Sequence, residues 1–294
     1  MARSFKPRYR RRFSTRRPSF RRKTYRGRRY ARRPKRSRVT PRKVRNIASK
    51  KKQDTLLGSD SSDPDNFSNV VALTTGNNYF LWTPTFRDRD DNVNNHTRGA
   101  ASCYYRGVRD RIMVAASFQL IHRRVCFWSH SQISSATPYD IPGDDGDIAY
   151  TRRPLQKINP STDTATFRYL FKGTVGVDFT EDSRWDSPMA NNRIQVVYDR
   201  QYPVNPNYNV AEGNAFGKIS TKKLWHPMNS TVKYDDWEQG REIDAASWGN
   251  AHPASRGNFY ILDMFSTGQD VPSETATQCG SYSTESTVYW HESS

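Results

Sequence analysis

The stretch TFRYLFKGTVGVDF, residues 166–179, places Phe167, Tyr169, Phe171, Val175, Val177 and Phe179 at odd positions and Arg168, Lys172, Thr174 and Asp178 at even ones. Side chains of a strand alternate between its two faces, so this pattern predicts a β-strand with one buried and one wet side. Further runs rich in β-branched and aromatic residues lie at 69–73, 79–83, 104–116, 118–128, 193–199, 216–225, 231–235, 258–265 and 286–291. The polar connections between them are long, as at 129–164 and 202–214. No amphipathic helix alternates with these runs, which argues against a parallel α/β sheet. Residues 67–294 are therefore expected to form one all-β domain, an antiparallel sandwich or barrel, with 139–147 and 203–206 as surface excursions.

Ahead of this body, the first 52 residues hold 25 of the 47 Lys and Arg and none of the 29 Asp and Glu. This arm carries +25, and the 22 basic against 29 acidic residues that follow leave the body at −7. A segment so charged buries too little apolar surface to offset its ordering entropy, and is expected to be disordered on its own. Arg3, Arg8, Arg10, Arg11, Arg12, Arg16, Arg17, Arg21, Arg22, Arg26, Arg28 and Arg29, with Lys23, offer donors to phosphate. Tyr9, Phe13, Tyr25 and Tyr30 interleave aromatic faces on which unpaired bases stack. The arm is thus a candidate binder of single-stranded nucleic acid. Pro7, Pro18, Pro34 and Pro41 interrupt any long helix. The clusters Arg32, Arg33, Lys35, Arg36, Arg38 and Lys50, Lys51, Lys52 also match nuclear import signals. Residues 53–66, rich in Ser and Asp with Gly58 and Pro64, read as a linker.

Other chemistries find little support. No run approaches eighteen consecutive apolar residues, so no membrane-spanning helix is expected. Cys103, Cys126 and Cys279 are widely spaced and read as reduced core thiols, not a zinc or disulfide framework. Gly213 to Lys218 imitates a phosphate loop but is one residue short, with Ile219 where Ser or Thr would hold Mg²⁺. Asp88, Asp90, Asn92 and Asn94 imitate a calcium loop without its glycine or its final glutamate. The six histidines show no metal-ligand spacing. No catalytic residues, metal site or cofactor are expected. Arg123 and Arg124, beside His122, read as a basic strand face that extends the arm's nucleic-acid contact.

Three short stretches, YYRGVRDRI at 104–112, RRVCF at 123–127 and TVYWHE at 287–292, together with the arm, resemble the coat proteins of small circular single-stranded DNA viruses. The likeness is greatest to genomoviruses, relatives of the geminiviruses. That resemblance implies a single jelly-roll domain and an icosahedral shell of about 60 subunits, with arms turned inward onto a single-stranded DNA genome. It further implies that the chain's partners are copies of itself, the genome and host nuclear import receptors, and that it resides in the virion and the host nucleus. Such a shell would bring on the order of 1,500 arm charges, enough for a similar number of phosphates. A viral movement or nuclear shuttle protein shares the basic arm but forms no closed shell.

Overall fold

The computed structural model describes residues 40, 44, 47–63, 65–90, 95–142, 148–180, 185–204, 218–240, 242–268 and 277–293. In chain order the elements are β1 (Ser49–Ser59), β2 (Val70–Thr74), β3 (Asn77–Trp82), β4 (Ser102–Ala116), β5 (Leu120–Ser129), β6 (Tyr139–Pro142), β7 (Ile148–Pro154) and α1 (Thr164–Leu170). They continue with β8 (Gln195–Val204), β9 (Ile219–Gln239), β10 (Glu242–Gly249), β11 (Asn258–Ser266) and β12 (Gln278–Ser293). One sheet runs β10-β9-β4-β12-β1-β7-β6, with β2 paired to the other half of β12; the second runs β3-β11-β5-β8. Every pairing is antiparallel except a two-residue contact of β1 with β7. The result is a jelly-roll sandwich, and the long-range order β4-β12-β1 joins the middle of the chain to its two ends.

Between the sheets lie Trp82, Tyr105, Val108, Cys126, Phe259, Ile261, Val288 and Trp290, continuing into Phe80, Ile112, Val114, Leu120, Phe265 and Tyr282. The second sheet is covered on its other side as well. Tyr260, Leu262 and Met264 of β11 and Val125 and Phe127 of β5 pack there against Phe167, Leu170, Phe171, Phe179 and Ile194. Every residue of β11 is consequently buried, which is why NFYILDMFS reads as a nearly unbroken apolar run rather than an alternating one.

That covering layer overturns the strand expected at 166–179. Residues 164–170 form α1, and Phe167, Leu170 and Phe171 fall on one side of a helical turn at i, i+3 and i+4. Phe167 and Phe171 stack with ring centroids 6.1 Å apart, and Phe167 meets Tyr79 edge-on at 4.9 Å. A period of two and a period of 3.6 both accommodate Phe167 and Phe171. Leu170 separates them: it lies on the wet side of the strand reading but is fully buried in the structure, whereas Val177, on the strand's dry side, is 82% exposed.

Four other expectations change. The linker at 53–66 is shorter, because β1 already covers Gln53 to Ser59 and pairs with β12 from Ser49 to Leu57. The arm correspondingly ends before Lys52: this lysine is buried and its Nζ lies 2.9 Å from Glu292 Oε2, a partner too distant in sequence to be read. The run expected at 216–225, from Ile219 onward, and the run at 231–235 are parts of one 21-residue strand, β9. Residues 139–142 and 148–154, inside an expected loop, form β6 and β7, while β10 follows β9 in a hairpin. All three cysteines are free and buried, as expected, and burial pushes the Cys103 thiol up to about 12 and that of Cys279 up to about 11.

Candidate nucleic-acid interface

Arg123 and Arg124 do not form a basic surface. Both are buried, and each guanidinium is occupied. Arg123 forks onto Asp199 through Nε and Nη2 at 2.8 and 2.6 Å and donates from Nη1 to the carbonyls of Trp185 and Ser187. Arg124 reaches between the sheets, donating to both oxygens of Asp263 at 2.7 Å and to Asp110 at 2.5 Å. Arg153 of β7 joins the same two carboxylates at 3.0 and 2.9 Å. Tyr282 donates to Asp263 at 2.8 Å, and Ser286 accepts from Arg153 at 2.9 Å. Two arginines and two aspartates thus neutralise one another and tie β4, β7 and β12 to β5 and β11.

Two histidines complete this cluster. A carboxylate only accepts, so His122 Nε2, 2.7 Å from Asp263 Oδ1, carries a proton. A guanidinium only donates, so His226 Nε2, 3.3 Å from Arg124 Nη1, carries none. Burial, followed by the neighbouring Arg124 charge, pushes His226 down to about 4. For His122, burial outweighs the attraction of Asp263 and also lowers its value. Burial alone would raise Asp110 and Asp263; the facing guanidiniums overcome it and hold both carboxyls below their usual range. The sequence marked these residues as charged and told nothing of their burial, because each partner lies on another strand.

The exposed basic surface is elsewhere, on the outward side of the first sheet. Alternation along its strands sends Lys51 of β1, Arg106, Arg109 and Arg111 of β4, Lys223 of β9 and His291 of β12 outward. Across β1, β4, β12 and β9 as far as Asn229, the only carboxylate on this side is Glu285, which pairs with Arg111 at 3.1 Å. Burial and then the charges of Arg106 and Lys51 lower His291, a sign of the positive potential here.

Aromatic rings sit among these cations. Trp225 is 49% exposed, and its ring lies 5.8 Å from that of Tyr289, two strands away. Gly107 makes the approach possible. Its φ of +155° suits glycine, and a Cβ there would come within 2.7 Å of the indole. Trp225 therefore reaches over the glycine toward Tyr289, with Arg109 directly opposite it in register. Tyr104 extends the aromatic row beside His291 at 6.2 Å. An exposed indole and two half-buried phenol rings, set among cations of which Arg111 alone meets a carboxylate among the described residues, have the chemistry of a single-strand platform, in which bases stack and phosphates meet guanidinium. Trp225→Ala and Tyr289→Ala are each expected to weaken binding of a single-stranded oligonucleotide by about 1–3 kcal/mol, with duplex binding nearly unchanged. Fluorescence anisotropy at raised salt, where the arm's phosphate contacts are screened, measures this.

Of the residues expected to act, Arg3 to Tyr30 and the import cluster Arg32 to Arg38 lie outside the described residues. Lys50 and Lys51 lie in β1, half-buried and exposed respectively, and Lys52 is locked to Glu292. The platform of Trp225, Tyr289 and Arg109 was missed, although the alternation of Arg109 and Arg111 against Val108, Asp110 and Ile112 carried half the signal. The phosphate-loop imitation at 213–219 falls almost wholly outside the described residues, as do Asn92 and Asn94 of the calcium imitation. Among the described residues no group of three or more His, Cys, Asp or Glu is placed to hold a metal, and no helix is long and apolar enough to cross a membrane. Comparison of the sequence with protein-family models and with curated proteins finds no match.

Proposed function

We propose that this chain is a structural coat protein of a small virus, which assembles into closed shells of about 60 copies and packages single-stranded DNA. The observation that carries the reading is the segregation of charge along the chain. An acid-free segment with 22 Lys and Arg in residues 1–48 precedes β1, and β1 belongs to the jelly-roll sheet whose outward side bears the basic, aromatic platform. An isolated subunit of this kind would adhere to any polyanion. In a shell, packaged phosphate relieves the repulsion between arms. The resemblance of the arm and of residues 104–112, 123–127 and 287–292 to genomovirus coat proteins supports the same reading.

Negative-stain microscopy of the expressed protein, with and without a single-stranded DNA, tests it. Closed, roughly icosahedral particles that take up the strand are expected, and removal of residues 1–48 is expected to leave the β circular-dichroism signal while abolishing most strand uptake. Monomers or open aggregates under all such conditions would instead favour a shuttle protein that binds DNA without enclosing it.

A further inference from the structure

The end of β9 runs on past β4, whose pairing stops at Ser102 with Lys233, and folds back as β10. This projecting hairpin is held firmly at its base. Asp236 receives both Nη atoms of Arg98 at 2.9 and 3.1 Å and Arg89 at 3.0 Å, and the Arg98 guanidinium lies 4.0 Å over the Tyr234 ring. On the other side of the strand Trp237 stands 69% exposed, opposite Asp244 in register and two residues from Asp235. Glu238 is exposed on the reverse side. A firm support that holds an indole 69% exposed beside carboxylates is the anchor half of an interface.

The same subunit carries a matching receptor. An open depression of about 600 Å³ is lined by His130, Asn191, Arg193, Ser230, Pro253 and Arg256, within the roughly 300–1,000 Å³ range of ligand pockets. Arg193 and Arg256 are exposed, donate to the Arg168 carbonyl and to Gln195 Oε1 respectively, and pair with no carboxylate among the described residues. Trp237 does not fill the depression of its own subunit: six strand residues, roughly 20 Å, separate it from Thr231 at the rim.

We propose that the acidic hairpin of one copy inserts Trp237 into this depression of a second copy, with Asp235 and Asp244 meeting Arg193 and Arg256. Knob and receptor differ, and joined head-to-tail such a contact generates a ring or shell. The inference rests on the proposed assembly and names one surface that performs it. The test uses the full chain, with particle formation followed by sedimentation and microscopy, and with circular dichroism and thermal melting as controls of folding. Trp237→Ala is expected to fold as the parent does and to raise the concentration needed for particles roughly 30-fold. Arg193→Glu with Arg256→Glu, and separately Asp235→Arg with Asp244→Arg, are expected to block assembly, and combining all four substitutions in one chain to restore particles, since every knob then again meets a receptor of opposite charge. Parent-like particles from Trp237→Ala, or no restoration in a folded chain carrying all four charge substitutions, would overturn the contact and leave the assembly reading standing. A parent chain that stays monomeric throughout overturns both.

Discussion

Arg124→Leu is expected to cost about 3–5 kcal/mol of stability, a large share of what a domain of this kind possesses. The guanidinium makes three bonds of 2.5–2.7 Å to Asp110 and Asp263, and all three side chains are fully buried. Leucine would leave two buried carboxylates sharing Arg153 alone. The loss follows from the uncompensated charge, not from any large net contribution of the intact cluster, since desolvation offsets much of the Coulomb attraction. Arg124→Lys is expected to recover only part of it, because an ammonium cannot bridge Asp263 and Asp110 with a planar fork. Urea denaturation followed by tryptophan emission measures both variants. A change below about 1 kcal/mol for leucine would mean that the two carboxylates are not held as described.

The second large effect lies in the layer over the other sheet. Phe171→Asp removes a ring packed on Phe167 and Phe179 and places a carboxylate in a fully buried site, and is expected to abolish soluble protein. Lys172→Asp, at an exposed neighbour, is expected to stay within about 0.5 kcal/mol of the parent. Leu170→Ala decides between helix and strand. Its full burial predicts a loss of about 2–5 kcal/mol, whereas the alternating-strand reading leaves it in water at nearly no cost. Val177→Ser serves as the reciprocal variant and is expected to be nearly silent. A silent Leu170→Ala beside a damaging Val177→Ser would restore the strand.

These residues show where sequence reasoning stops. The all-β class, and the parts of strands at 70–73, 79–82, 104–116, 120–128, 195–199, 258–265 and 286–291, were legible because local alternation and β-branched composition report directly on a pleated, half-buried backbone, whereas 200–204 and 278–285 were not read as strand. The short stretch at 164–170 was not, since seven residues satisfy both periods and the arbiter is the sheet beneath them. β1 was hidden by its lysines, which signal a solvated arm until Glu292 is seen beside Lys52.

The all-β class and the split into an acid-free basic arm and an acidic body could be read from the chain alone, because periodicity and charge density are local properties that need no partner to be read. What the body's charges do depends on contacts between strands far apart in the chain. Arg123 and Arg124 look like surface and are interior, while Arg109, Trp225 and Tyr289, separated by more than a hundred residues along part of their span, meet on one open side of a sheet. The physical reason is that the free energy of a charge depends on its dielectric surroundings and its partner, and in a sandwich built from long-range antiparallel pairs both are supplied by strands remote in the chain.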